Sequence, residues 1–137
     1  MNSYDDNQLS RLLDWADVVC IGCGLGMGQI SEKILKNVLK NVSCPCVIDA
    51  DGLNLLNGKI ELLNQCRAPV ILTPHMKEMS RLTGWSIDKI MEDRFQALDQ
   101  IIKQSGPDTK SSIICVIKRQ SYCCRTDKSA EICKSRW

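Results

Sequence analysis

The sequence predicts an α/β fold with three layers, in which helices pack on both faces of a mostly parallel sheet. Short runs rich in Val and Ile alternate along the chain with longer amphipathic stretches, which is the pattern of strands joined by helices. The Val/Ile runs are continuously apolar, as is typical of parallel strands buried on both faces. Strands joined through helices pair in parallel with right-handed crossovers.

Four buried strands, each running into a turn, are predicted from these runs. They lie in the segments ADVVCIG (16–22), CVIDADG (46–52), PVILTPH (69–75) and SIICVIK (112–118). Residues 27–42 place apolar side chains at helical spacing between the first two strands. Residues 52–66 supply the next crossover helix or helices, residues 77–84 a short helix, and a helix opens at Ser86, with Asp88 in its first turn, and runs to about Gln104.

Composition favours one globular domain and argues against several functional classes. The chain has 137 residues, of which 44% are hydrophobic and 25% charged. No run approaches the roughly 18 apolar residues of a membrane span, and the polar opening MNSYDDNQ does not resemble a signal peptide. Aromatic residues make up 4% of the chain, which argues against stacking on single-stranded nucleic acid. We therefore expect a cytoplasmic protein with neither a membrane nor a nucleic-acid partner.

Polar residues and glycines follow all four predicted strands. Ligands of open parallel sheets bind outside the carboxyl ends of the strands, so these residues are expected to share one crevice. They are Gly22, Gly24 and Gly26 after the first strand, Asp49, Asp51 and Asn54 after the second, Thr73, Pro74, His75 and Glu78 after the third, and Lys118 after the fourth.

Each of these groups has a functional and a structural interpretation. The glycine turn either brings backbone N–H groups towards an anion or only forms a tight turn. The two common nucleotide-binding motifs are absent, because the G-x-G-x-x-G pattern fails at Met27 and no P-loop lysine follows. Asp49 and Asp51 would point the same way in an extended chain and suit a metal-bound phosphate or a substrate hydroxyl, unless they cap the next helix. His75 is the only histidine, and Glu78 either caps the short helix or binds a ligand.

The nine cysteines are predicted to be thiols, and those of the two close pairs are predicted to be packing groups. Their odd number and irregular spacing do not suggest a disulfide framework. Cys20 and Cys23 form C-x-x-C, and Cys44 and Cys46 form C-P-C, but Cys20 is expected inside a buried strand and Cys46 begins the next one. A zinc site needs such pairs to converge, which these positions do not favour.

In their order and spacing, the motifs after the strands resemble those of the ADP-dependent NAD(P)H-hydrate dehydratases, members of the ribokinase-like superfamily. The matching strings are ADVVCIGCGLG, VIDADGLNLL and APVILTPHMKEMSRLTG, followed by the approach to Lys118. The usual family strings are close to GPGLG, DADALN and LTPHPGE. This chain departs from them with Cys23 for proline, Gly52 for alanine and Met76-Lys77 for Pro-Gly, none of which removes a charged group.

The resemblance implies repair of damaged cofactor, in which hydrated NADH or NADPH (NADHX, NADPHX) is dehydrated at the expense of ADP (or ATP) with Mg²⁺. Three groups of site residues follow from it. The hydrated nicotinamide would be bound by Gly24, Gly26, His75, Met76, Lys77, Glu78 and Arg81; the phosphates and metal would be bordered by Asp49, Asp51 and Asn54; Lys118 would begin the nucleotide-binding segment. The full-length family also implies homo-oligomers.

Two parts of the family pattern have no counterpart in these residues. They are the first strands and the late G-S-G-D helix start that carries the catalytic aspartate, so no catalytic residue is assigned and an inactive, truncated form is expected. Residues 1–118 would be the central part of the dehydratase domain, incomplete at both ends. The alternatives are a fragment of a ribokinase-like small-molecule hydroxyl kinase and a non-catalytic nucleotide-binding remnant.

Residues 119–137 are predicted to be a poorly ordered tail translated out of frame. Residues 118–137 carry a net charge of +4 against −2 for residues 1–117, and they lack any strand or helix period. Reverse translation from Lys118, with codons chosen with the family in mind and read from the second base, gives KDSHTVVAQTKAQKYVNPAG, which resembles the family's continuation. Sequencing of the locus tests this prediction, because stop codons in that second frame would contradict it.

Overall fold

The computed structural model describes residues 5–105 and 113–118 in full, together with the backbone of 121–126 and 135–136. The helices are α1 (Asp6–Trp15), α2 (Gln29–Asn41), α3 (Asp51–Leu55), a 3₁₀ helix (Ile60–Gln65), α4 (Met76–Thr83), α5 (Ile87–Glu92) and α6 (Arg94–Gln104). The strands are β1 (Val19–Ile21), β2 (Cys46–Ile48), β3 (Val70–Leu72), β4 (Ile113–Ile117), β5 (Ser121–Thr126) and β6 (Ser135–Arg136).

The strands lie in the sheet in the same order as in the chain. β1 to β4 are mutually parallel, and β5 and β6 are added antiparallel at the β4 side. The predicted α/β class with a mostly parallel sheet is thus confirmed. Each predicted strand is present, although its hydrogen-bonded part is shorter than the apolar run from which the strand was predicted.

The described helices form one layer. α1 contacts α2, α2 contacts the 3₁₀ helix, and the 3₁₀ helix contacts α6. Right-handed crossovers place successive helices on one side of a sheet when the strand order is sequential, so this row follows from the topology. The second helical layer of the predicted three-layer arrangement is not found among the described residues.

The two faces of the sheet differ in burial. The rows Val19–Cys46–Val70–Ile113 and Ile21–Ile48–Leu72–Cys115 face the helices, and all but Val19 are buried in the core. The row between them on the opposite face, Cys20–Val47–Ile71–Ile114, is half-buried or exposed, as is Val116. We call these five residues the open face.

Two helical features differ from the sequence prediction. α1 was not predicted, although Asp5 caps it by accepting from the backbone N–H groups of Asn7 and Gln8. The helix predicted from Ser86 to Gln104 is two helices, because Asp93 takes an extended φ of −147° and its side chain accepts from the N–H of Gln96, which starts a new helix. The predicted cap at Ser86 is confirmed, since its hydroxyl accepts from the N–H of Lys89.

Within the described part of the chain no helix is long and apolar enough to cross a membrane. The predicted out-of-frame tail, residues 119–137, lies outside the described residues except for the backbones of β5 and β6. The shifted reading frame stays a prediction.

Candidate functional site at the carboxyl edge of the sheet

Main-chain hydrogen bonds continue past the strand ends and hold the following turns together. The N–H of Asp49 donates to Ile21 O at 3.1 Å, that of Thr73 to Ile48 O at 3.3 Å, and that of Lys118 to Pro74 O at 2.9 Å. The residues after all four strands therefore meet at one edge, as the sequence predicted for a parallel sheet.

The glycine turn after β1 packs directly on the turn after β2. Gly22 has φ +130°, and a Cβ on it would lie 1.7 Å from Asp49 O. Gly24 and Gly26 have φ +70° and +83° and lie on the surface. The N–H of Gly26 donates to Asp51 Oδ2 at 2.9 Å. A carboxylate of the chain itself thus occupies a donor that an anionic ligand would otherwise use.

Asp49 and Lys118 form an ion pair across the end of β3. Lys118 Nζ donates to both carboxylate oxygens of Asp49, at 2.9 and 3.0 Å. Partial burial would raise the pKa of Asp49, but the hydrogen bond from Lys118, that from the Ala50 N–H, the charge of Lys118 and a hydrogen bond from Thr73 together hold it below its ordinary value. Asp49 is therefore a carboxylate at neutral pH.

The chain between the two aspartates is not extended as the sequence suggested. Ala50, between them, has φ +48° and ψ −122° and is the N-cap of α3, with no side-chain capping hydrogen bond. Neither aspartate caps this helix, and the chain is not extended here, so their side chains reach different partners: Asp49 reaches Lys118, and Asp51 reaches the Gly26 N–H.

His75 and Glu78 form a reciprocal cap at the start of α4. The N–H of Glu78 donates to His75 Nδ1 at 3.2 Å, and the N–H of His75 donates to Glu78 Oε2 at 3.0 Å. The other carboxylate oxygen of Glu78 lies 3.1 Å from His75 Nε2. Glu78 is buried and the His75 side chain is half exposed. Glu78 therefore caps the short helix, as one of its two interpretations predicted, and the ring of His75 is accessible at the carboxyl edge of the sheet.

The remaining candidates lie along α4 and α3. Arg81 Nη1 donates to Asn54 Oδ1 at 3.1 Å, which joins the two helices on the surface. Met76 is half-buried against the core and Lys77 is exposed. The structure therefore brings together the candidates in three groups, which are the Asp49–Lys118 pair, Asp51 with the glycine turn at Gly26, and the surface formed by α4 with Asn54.

The fit of a protein-held metal ion is poor. Among the described residues no group of three His, Cys, Asp or Glu side chains is arranged to hold one. Both oxygens of Asp49 accept from Lys118, and one oxygen of Asp51 accepts from Gly26. These carboxylates are engaged within the chain and are not aimed at a common point.

The cysteine prediction needs two corrections, because Cys20 and Cys23 are exposed and are not packing groups. Cys20 lies on the open face of the strand at the end of the sheet, and Cys23 lies in the glycine turn that follows this strand. Cys46 and Cys66 are buried among apolar groups, and burial raises the pKa of Cys46 to about 12 and raises that of Cys66. These two thiols are protonated packing groups.

Sequence reasoning missed the support around Asp49. Thr73 and the Ala50 N–H both lower the pKa of the Asp49 carboxyl group. Thr73 was noted only for its place after a strand; the signal that points to it is that its own strand, β3, lies between those of Asp49 and Lys118.

A model of the NAD(P)H-hydrate dehydratase family matches residues 1–133 of the chain. Among curated proteins, the bifunctional NAD(P)H-hydrate repair enzyme of Thermofilum pendens is 36% identical over 92 residues, which is 65% of this chain and 18% of that protein. The ADP-dependent (S)-NAD(P)H-hydrate dehydratase of Streptococcus thermophilus is 37% identical over 113 residues, 76% of this chain and 38% of that protein. The chain thus spans well under half the length of these relatives.

Solved structures show the same fold. A Streptococcus mutans protein, SMU.573, superposes with a TM-score of 0.70 at 25% identity, covering 95% of this chain and 44% of that one. The Bacillus subtilis ADP/ATP-dependent NAD(P)H-hydrate dehydratase co-crystallised with ATP/Mg²⁺ superposes with a TM-score of 0.58 at 21% identity, over 85% of this chain and 39% of that one. Given the extent of the family match and the turn motifs at the sheet edge, the chain belongs to the NAD(P)H-hydrate dehydratase family.

Proposed function

We propose that the chain is part of an enzyme that dehydrates hydrated NADH and NADPH with ADP or ATP as co-reactant. One observation supports this most strongly: the turns after β1, β2, β3 and β4, which carry the family's motifs, meet at a single edge through the hydrogen bonds of Asp49, Thr73 and Lys118.

The chemistry of the edge suggests how its residues divide the two ligands. Lys118, which follows β4, carries an ammonium group that suits the phosphates of the nucleotide. The exposed ring of His75, which follows β3, and the backbone of the Gly24–Gly26 turn, which follows β1, suit the hydrated nicotinamide ring with its hydroxyl and amide. Glu78 fixes His75 and does not face this ligand.

The reaction itself is a phosphoryl transfer followed by an elimination. The terminal phosphoryl group of ADP passes to the ring hydroxyl, which loses its proton, and AMP leaves. The C–O bond then breaks to release phosphate while the adjacent ring carbon loses a proton, which restores the double bond of NADH. Phosphoryl transfer depends on positioning and on charge stabilisation at the transferred group. The described residues supply binding and positioning at the edge, and none of them is assigned to the reacting atoms.

Binding measurements on the purified chain test the proposal. We expect ADP to bind in calorimetry, Lys118→Met to weaken ADP binding, and His75→Ala to weaken binding of hydrated NADH, with the circular dichroism of both variants close to that of the parent. Lys33→Met, which removes the same charge from the exposed side of α2, is the matched control and should bind as the parent does. If the parent chain binds neither ligand, the proposed site is wrong.

Turnover is a separate expectation. We expect a polypeptide of these 137 residues to bind without restoring the absorbance of NADH from its hydrate, since no residue has been assigned to act on the reacting atoms. ADP-dependent recovery of that absorbance would contradict this expectation and would place a catalytic group within these residues.

A further inference from the structure

We propose that Asp49 is a positioning residue, which holds the Lys118 ammonium group at the sheet edge for a nucleotide phosphate and does not itself contact the phosphate or a metal ion. This inference rests on the proposed function for its ligand. It separates two residues that the sequence placed together as phosphate-binding.

Lys118 must extend its side chain past a neighbouring strand to reach Asp49. Asp49 follows β2 and Lys118 follows β4, so the lysine side chain reaches past the end of β3 to form two hydrogen bonds, at 2.9 and 3.0 Å, to a residue 69 positions away. A lysine side chain has four rotatable bonds and loses conformational entropy when it is fixed. The bond to Asp49 fixes it before any ligand arrives.

The hydrogen-bonding capacity of the two groups assigns their roles. The carboxylate of Asp49 accepts from Lys118 at both oxygens, and the Ala50 N–H and Thr73 also lower its pKa. Both carboxylate oxygens are therefore already engaged within the chain. An ammonium group has three donors, and two of those of Lys118 go to Asp49, which leaves one for a phosphate oxygen.

Exposure agrees with this assignment. The Lys118 side chain is 37% exposed and that of Asp49 is 24% exposed. A ligand approaching the edge therefore meets the cation more readily than the anion. Thr73, directly after the intervening strand β3, also lowers the pKa of Asp49.

The proposal fixes the sign of an effect on binding. If Asp49 were only a negative charge near the phosphates, Asp49→Asn would remove a repulsion and tighten ADP binding. If Asp49 positions Lys118, the same change releases the lysine and weakens binding by about fivefold, which is the scale of a partly exposed ion pair. A metal ligand would give a third result, a loss confined to solutions that contain Mg²⁺.

Two measurements on the full chain test this. Acetylation by acetic anhydride, read by mass spectrometry, reports access to the Lys118 amine. We expect several-fold faster labelling of Lys118 in Asp49→Asn, with Lys33 unchanged as internal reference and with Asp88→Asn, at an exposed position in the first turn of α5, as matched control. Calorimetry with ADP, with and without Mg²⁺, should show weaker binding in both for Asp49→Asn and a smaller loss for Thr73→Val.

The outcomes are distinguishable. Unchanged labelling of Lys118 in Asp49→Asn, tighter ADP binding, or a loss seen only with Mg²⁺ would each overturn the positioning role. If the parent chain binds no ADP, the proposed function fails, while the labelling experiment still decides whether Asp49 holds Lys118.

Discussion

Ala50 has a backbone conformation that residues with a Cβ rarely adopt. Its φ of +48° is the only positive φ outside glycine among the described residues. The kink turns the chain sharply between β2 and α3, so that Asp49 faces Lys118 while Asp51 faces the glycine turn. Strained positions of this kind cost about 1–3 kcal/mol and often occur at functional sites.

We expect Ala50→Gly to stabilise the chain. Removal of the Cβ relieves the strain, and the added freedom of the unfolded chain offsets part of it, so a net gain of about 0.5–1 kcal/mol should appear in urea unfolding. Ala97→Gly, in the middle of α6, is the matched control and should lose about 1 kcal/mol or more, because it lies buried in a helix with no strain to relieve. A loss at both positions would mean that the Ala50 conformation is not strained.

Individual residues at the edge were partly predictable. The spacing of His75 and Glu78, three residues apart at a helix start, suggested the capping of α4 that is observed. The pairing of Asp49 with Lys118 was not predictable in the same way, because the sequence shows that both follow strands but not that the lysine reaches across an intervening strand.

At the scale of elements, the contact between the turns after β1 and β2 determines how close their motifs come. The N–H of Gly52 donates to Asp49 O, and Gly22 lies against the same carbonyl. Two turns can approach to this distance only where one of them has no side chain. The glycine that matters most for the fold is therefore Gly22, and not the two that the sequence assigned to ligand binding.

We expect Gly22→Ala to disrupt the edge and Gly24→Ala to leave it intact. A Cβ on Gly22 would overlap Asp49 O at 1.7 Å, so a loss of about 4 kcal/mol or more in thermal unfolding is expected. A Cβ on Gly24 would meet nothing within 4 Å, and only its positive φ would cost about 1–2 kcal/mol. Equal effects of the two changes would show that the turns are not packed as described.

A second link between elements gives a pH dependence. The hydrogen bond from Lys59, with that from Lys36, lowers the pKa of Glu32 from 4.5 to about 2, which ties α2 to the turn before the 3₁₀ helix. Because the pKa is depressed in the folded state, the stabilisation is present above pH 4.5 and is lost as the pH falls towards 2. The urea midpoints of the parent and Glu32→Gln should converge over that range and also at high salt, which screens exposed charges.

The element boundaries were the less predictable part of the fold. The break at Asp93 depends on a single side chain that accepts from Gln96, within a stretch whose apolar spacing continues through it. α1 had a readable signal in Asp5 followed by Leu9, Leu12 and Leu13, but the many polar residues around it masked the period. The existence of the strands was clearer, because short continuous runs of Val and Ile bounded by turn residues are typical of buried strands.

For the whole molecule, the open face is the main departure from a closed α/β domain. Parallel sheets are normally covered on both faces, and here the row Cys20–Val47–Ile71–Ile114 is incompletely covered. The single row of helices among the described residues follows from sequential strand order, which no local pattern in the sequence reveals. The prediction of two helical layers came from the continuous apolar strands, which are suited to burial on both faces.

We expect the fold to tolerate a charged side chain on the open face of the sheet and to be lost when the charge is placed on the opposite, buried face. Ile71→Lys should keep the circular dichroism of the parent and reduce the fluorescence of bound anilinonaphthalene sulfonate, a dye that binds exposed apolar surface. Val70→Lys, one residue earlier and fully buried, should unfold the chain. An average substitution costs about 1 kcal/mol of stability, and burial of an unpaired charge costs several times more. Unfolding by Ile71→Lys would show that the open face is covered.

Sequential strand order also bears on how the chain folds as it is made. β2 pairs with β1, β3 with β2 and β4 with β3, so each strand emerging from the ribosome finds its partner already synthesised and lying next to it. None of these four strands has to wait for a later one to be inserted between two earlier neighbours. The nascent chain can therefore grow its parallel sheet one helix and strand at a time, with a single unpaired growing edge at every stage of synthesis.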